Sequence, residues 1–276
     1  MTARETIICD DLGAAIKRYE SDGFLLDMIM PADDPREALI SKNGESLSLV
    51  ASRKSKVQSP RSERITDFRP ETLGIGPVSE AKWITGRAGM MYRDLIPARL
   101  NGKVIVSHIH IIDGGEVADR VHYHKIGLQI IYCLKGAICV VYEDQGSPFW
   151  LKPGDCVLQP PEIRHRVLEA DAGSEVIEVT SPAEHETWFD HELMLPTNDF
   201  DSHRIFRTQQ FARHIDADSV WKPHSTDGIM VSDTNIPGVR SLKDASGRFI
   251  VNLDRTGTTV LALMIDGKGV EVTLPE

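Results

Sequence analysis

Residues 114–136 read GGEVADRVHYHKIGLQIIYCLKG, and residues 154–165 read GDCVLQPPEIRH. His122 and His124 stand two residues apart, so on a strand both imidazoles project from one face. Gln129 follows at the head of an apolar strand that runs to Gly136. Gly154-Asp155 opens another strand, Pro160-Pro161 closes it, and His165 begins the next. Two side chains from one strand and single ones from two others converge only where a sheet curls, as in a small barrel. Neutral imidazole is the commonest transition-metal ligand. His122, His124 and His165 are therefore candidate metal ligands, with Gln129 beside them.

Around these stretches, from Lys82 to Pro182, the chain is strand after strand: KWITG, MMYRDLI, KVIVSHIHII, LQIIYCL, AICVVYE, FWL, DCVLQ, HRVLE and EVIEVT. Short β-prone runs divided by Asp-Gly-Gly, Lys-Gly, Gln-Gly and Pro-Gly predict a sandwich or barrel. His108 and His110 form a second pair on one strand face and read as pocket wall or surface. Glu184, His185, Glu186 and His191 follow Pro182 and read as a solvated helix or loop. Glu178 is a candidate general base if its strand turns it inward.

The two histidine stretches resemble the paired motifs of the cupin superfamily. The first motif is a Gly-rich turn, HxH, three or four residues, Glu, six residues and Gly. Here Gln129 holds the Glu position and Gly136 the last. The second is Gly, five residues, Pro-x-Gly, two residues and His, matched by Gly154, Pro160 and His165 with Glu162 in place of the glycine. The loop from Gly115 to His122 is about two residues longer than the pattern. This resemblance covers roughly residues 82–182. It implies a mainly β fold, a double-stranded β-helix barrel, holding a divalent transition metal on His122, His124, Gln129 and His165. Fe(II) is favoured, with Mn, Ni, Cu or Zn as the others. A glutamine brings no charge to the ion; it either ligates through its amide oxygen or stands behind the ligands as a hydrogen-bonding group and orients substrate.

The first 52 residues read βαβββ. ETIIC is a short strand, Asp10 or Asp11 an N-cap, and Leu12, Ala15, Ile16 and Tyr19 an amphipathic stripe ended at Gly23. GFLLDMIMP, REALISKNG and ESLSLVAS are the three strands, with an Asn43-Gly44 turn between the last two. The order and the phrase AAIKRYESDGFLLDMIMPADDP resemble one module of the glyoxalase / vicinal-oxygen-chelate superfamily, without its metal ligands. Scaffold or dimerisation is the expected role, since such a short module buries little core alone. Residues 53–80 carry Arg53, Lys54, Lys56, Arg61 and Arg64 among prolines and glycines and read as a linker.

Near the end, VLALMIDGKGVEVTLPE parallels QIIYCLKGAICVVYED, with Val260 where Gln129 sits and Leu253 and Arg255 in the histidine positions. Residues 196–276 thus read as a degenerate C-terminal cupin-like β unit that covers an edge or an interface. A barrel domain over residues 81–195 lies between it and the linker.

The 276 residues carry a net charge of −10 with 41% hydrophobic side chains, an ordinary globular composition. The acidic balance disfavours nucleic acid or an anionic membrane as partner. Four scattered cysteines without CxxC spacing point to reduced thiols and a cytoplasmic setting. MTARETIICDD lacks the apolar run of a signal peptide, and no stretch suits a membrane span. The cupin resemblance implies a metal-dependent dioxygenase-type enzyme for a small oxygen-chelating substrate, and the short N-terminal module and the open edges of the tail unit predict a homodimer. A non-catalytic small-molecule binder and a metal-assisted isomerase or lyase are the alternatives.

Overall fold

The structure is a computed structural model describing residues 5–32, 34–52, 82–96, 99–225, 228–244, 250–254 and 260–274. The linker predicted for 53–80 lies outside the described residues. The N-terminal order is β1 (Glu5–Cys9), α1 (Leu12–Ser21), β2 (Leu25–Met30), β3 (Glu37–Lys42) and β4 (Glu45–Ala51). Asp11 caps α1, its carboxylate accepting from Ala14 N at 2.8 Å, a contact worth about 1 kcal/mol. The helix lays Leu12, Ala15, Ile16 and Tyr19 on a sheet of order β1-β4-β3-β2, around Ile40 and Leu49.

After the linker come β5 (Ile84–Thr85), β6 (Met91–Asp94), β7 (Ile105–Ile111), β8 (Gly115–Glu116), β9 (His122–His124) and β10 (Leu128–Lys135). Then follow β11 (Ile138–Tyr142), β12 (Phe149–Leu151), β13 (Cys156–Leu158), β14 (His165–Ala170), β15 (Ser174–Ser181) and β16 (Thr187–Phe189). These form two facing sheets, the mainly β sandwich that the resemblance implies. One contains β16-β9-β14-β11-β12, and the other runs β19-β13-β10-β15-β7-β6-β5, where β19 is Ala212–His214. Between them lie Ile109, Ile131, Ile138, Val140, Leu151 and Val157. Alternation along β10 decides what faces where: Ile131 and Cys133 join this inner core, whereas Ile130, Tyr132 and Leu134 face the other way.

The first sheet does not stop at the sandwich. β16 pairs with β9 on one side and with β2 on the other, Thr187 opposite both His124 and Ile29. The N-terminal strands therefore continue the sheet that carries His122, His124 and His165 as one ladder of hydrogen bonds. The segment expected to be a solvated helix or loop supplies the joining strand. Thr187, Trp188 and Phe189 are β-branched and aromatic, and this β-prone run overrides the charged residues around it.

Past β17 (Ile205–Phe206) and β18 (Gln209–Gln210), β19 closes the β13 edge. The tail, β20 (Lys222–Pro223), β21 (Ile229–Asp233), β22 (Val239–Asp244), β23 (Ile250–Asp254), β24 (Val260–Ile265) and β25 (Lys268–Thr273), forms an antiparallel sheet of order β20-β21-β22-β25-β24-β23. Its Leu261, Leu263, Val270 and Val272 pack with Ile130, Tyr132, Ile177 and Val179 on the outer face of the second sheet. The tail thus covers a whole sheet face as well as supplying an edge strand. The side chain of Leu253 and all of Arg255 lie outside the described residues. Among the described residues no helix is long and apolar enough to cross a membrane.

Among the motif glycines, Gly154 is tightly constrained. It holds φ +98°, and a Cβ there would meet Asp216 Cγ at 2.5 Å. Asp216 cannot retreat freely, because its backbone N–H donates to Asp155 Oδ1 at 2.9 Å. Gly154→Ala is expected to cost about 1–3 kcal/mol. In urea unfolding this reads as a lower midpoint at unchanged slope.

Candidate metal centre

Antiparallel pairing builds the site. His165 opens β14 directly opposite His122 on β9, and His124 lies two residues further along the same strand face. The three rings stand 4.3 to 5.3 Å apart between centroids. One ligating atom from each lies within 4.8 Å of the others, and all three residues are buried.

The Nδ1 atoms are all engaged on the outer side. His122 Nδ1 donates to the Arg120 carbonyl at 2.7 Å, and His165 Nδ1 to the Ile163 carbonyl at 2.9 Å. His124 Nδ1 contacts Thr187 Oγ1 at 2.8 Å. The carbonyl contacts call for a proton on Nδ1 and leave Nε2 of His122 and His165 as the inward lone pair, while the Thr187 hydroxyl holds the ring plane of His124. His122 Nε2 is buried and has no hydrogen-bond partner. Burial holds His122 and His124 well below the usual histidine range, and it takes His165 down to about 4. At neutral pH all three are uncharged and converge on one point. The Nε2 of His122 meets no donor, and the cluster fits a cation.

Gln129, on β10, reaches the same space and is 1% exposed. Its Oε1 accepts from Gln159 Nε2 at 3.0 Å, while its own Nε2 is buried without a partner. Gln159 Nε2 also lies 3.2 Å from His165 Nε2, and Tyr142 O–H donates to Gln159 Oε1 at 2.6 Å. The cavity enclosed by these groups measures about 50 Å³, with Tyr92, Arg87, Ile109 and Glu178 on its walls. Room of that size suits a ligand of a few heavy atoms.

The loop preceding β9 brings Asp119 under His122. Its Oδ1 pairs with Arg87 and accepts from Arg120 N, and its Oδ2 accepts from Val167 N at 2.9 Å. Arg87 is thereby held over the histidine cluster with its charge matched. Tyr92 is pushed up to about 12 by burial and remains a donor. Glu178 does face the cavity, with Oε1 accepting from Thr180 Oγ1 at 3.1 Å.

Residues 108–180 match the cupin domain family. The match includes all three site histidines and Gln129, and it leaves both flanks of the chain outside. No curated protein matches the chain. Matching solved structures include KdgF from Halomonas sp., at 23% identity and TM-score 0.32, covering 38% of this chain and 91% of that one. An RmlC-like cupin from Shewanella frigidimarina matches at 23% identity and TM-score 0.34, over 40% of this chain and 91% of its own. The polyketide cyclase RemF from Streptomyces resistomycificus matches at 18% identity and TM-score 0.35, over 42% and 84%.

Within the matched segment, the non-glycine turn has a visible consequence. Glu162 holds φ +64°, the left-handed region that a glycine would occupy without strain. Its N–H donates to the His124 carbonyl at 3.0 Å, and its carboxylate pairs with Arg207 at 2.8 Å. His108 and His110 face away from the site. His108 Nδ1 accepts from Arg93 Nε at 3.0 Å, its Nε2 donates to Glu175 at 2.8 Å, and Trp83 packs on both rings. His185 is buried beside His124, ring centroids 5.4 Å apart, and is not among the three converging histidines. Arg87, Asp119, Tyr142, Gln159 and Thr187 complete the surroundings of the three histidines; spacing in the sequence marks none of them.

Proposed function

We propose that the chain is a mononuclear metal-dependent enzyme of the cupin type, acting on a small organic substrate that binds through oxygen. The observation that carries this reading is the set of three buried imidazoles, each fixed at Nδ1 and aimed inward through Nε2. His122, His124 and His165 would hold a divalent transition metal, Fe(II) being the favoured ion for a dioxygenase-type reaction. With no carboxylate among the three, the ligands themselves would leave the ion's charge uncompensated, and a bound metal would supply strong Lewis acidity and, for a redox-active ion, one-electron chemistry.

The chain's own groups have separate tasks. Thr187 and the Arg120 and Ile163 carbonyls keep the rings in register. Gln129, Tyr92 and Arg87 present donors to substrate oxygens. The apolar wall of Ile109, Ile131 and Val140 excludes water. A second reading, a metal-assisted isomerase or lyase without oxygen, draws on Glu178: a carboxylate facing the cavity can take a proton from carbon and return it elsewhere.

Elemental analysis of protein purified without chelators is expected to find one transition metal ion per chain. Oxygen uptake by the Fe(II)-loaded protein, tested with diketones, flavonols and thiol acids, separates the two reactions. Consumption with one of these classes supports the dioxygenase. Turnover of an enolisable carbonyl without oxygen consumption supports the proton-transfer reading.

A further inference from the structure

Which face of the Gln129 amide meets the cavity follows from two anchors elsewhere in the network. The first is Tyr142. Its hydroxyl is buried, and among the described residues Gln159 is its partner, at 2.6 Å. Unless the phenol donates, its proton is left unpaired in the interior. Gln159 must then offer Oε1 to Tyr142 and turn its NH2 group toward Gln129 and His165. The second anchor is His165, whose Nδ1 proton is committed to the Ile163 carbonyl. Its Nε2 carries a lone pair and cannot donate, so only the NH2 end of Gln159 suits the 3.2 Å contact. Both anchors give Gln159 the same orientation. Gln159 N–H accordingly donates to Gln129 Oε1, and Gln129 is left pointing its own NH2 inward, buried and unpartnered.

We infer that Gln129 serves as a hydrogen-bond donor to an anionic oxygen of the substrate, held in that orientation by Tyr142 through Gln159, and that the site selects a small carboxylate or enolate. This deepens the metal-dependent reading and rests on it. The Tyr142 anchor does not involve the Nε2 lone pair of His165, so the orientation persists when that lone pair is occupied. Charge points the same way. The three histidines are neutral, Asp119 is already committed to Arg87, and among the described residues lining the cavity Glu178 is the remaining carboxylate. A divalent ion placed there calls for an anion. The cavity of about 50 Å³ limits that anion to a few atoms beyond its carboxylate.

The test uses two titrations of the full-length protein: Ni(II) into metal-free protein, and acetate into the Ni(II)-loaded protein. Gln129→Leu is expected to keep Ni(II) affinity within about threefold and to lose acetate affinity by about tenfold or more, the usual worth of a hydrogen bond to a charged group. Gln129→Glu keeps the side chain's shape but replaces the donor with an acceptor, and the same acetate loss is expected. Tyr142→Phe frees Gln159 to turn over, and a several-fold acetate loss at unchanged Ni(II) affinity identifies Tyr142 as a positioning residue. Tenfold weaker Ni(II) binding by Gln129→Leu overturns the inference and assigns the amide oxygen to the metal. Undiminished acetate binding in both Gln129 variants overturns it as well. A wild type that takes up no metal sinks the metal reading alone. Acetate is then titrated into the metal-free proteins, where the same tenfold difference supports the donor role and equal affinities overturn it.

Discussion

Replacing His122 and His124 together by alanine is expected to abolish stoichiometric metal uptake. Loss of an outer hydrogen-bond partner alone weakens a metal site by about 10–100-fold, so removing two direct ligands takes affinity beyond the top of that range. The double variant should still fold. The inner core of Ile131, Val140, Leu151 and Val157 does not include these rings, and the second sheet keeps its cover of tail residues. Metal content by elemental analysis, read beside far-UV circular dichroism, checks both halves. A folded double variant that retains one ion per chain would place the metal elsewhere.

Acid should destabilise the metal-free protein well before its carboxylates titrate. His165 takes up a proton near 6.5 when unfolded but stays neutral in the fold down to about 4. Between those values the unfolded chain holds more protons, so stability is complete above pH 6.5 and falls as pH drops toward 4. From pH 7 to pH 5 the loss from His165 alone is about 2 kcal/mol. Burial of His122 and His124 acts in the same direction, as does that of His108, also taken down to about 4. Urea midpoints at the two pH values measure the sum. Saturating metal should move the loss to lower pH, since it binds only the neutral rings. A midpoint that stays constant from pH 7 to 5 would mean that these imidazoles reach water.

The strands were legible because alternation and turn residues are local. Glu5–Cys9, Leu12–Ser21 and the three strands after it lie where periodicity and the Asn43-Gly44 turn place them. His122, His124 and His165 were legible for the same reason: their spacing fixes face and strand. Their supports were not. Asp119 sits in a loop whose path is set by the Arg87 pair and by Val167 N, contacts 32 and 48 residues apart in sequence. Thr187 reaches His124 only through a strand pairing between segments that share no local pattern. The charged run around His185 masked a three-residue strand that the Thr187-Trp188-Phe189 triplet does signal. Which way Glu178 points was equally hidden, because β15 is apolar on both faces: Val176 packs in the inner core and Ile177 in the outer one.

The ladder through β16 makes the N-terminal strands mechanically part of the histidine-bearing sheet. A shortened chain holding only residues 108–180 would leave β9 as a raw edge, its unpaired amides beside the very imidazoles it carries. Substitutions in β2, such as at Met28 or Ile29, should then be felt through Thr187 as a reorientation of the His124 ring. Changes far outside the sandwich thereby become a means of tuning any ion that the three histidines take up.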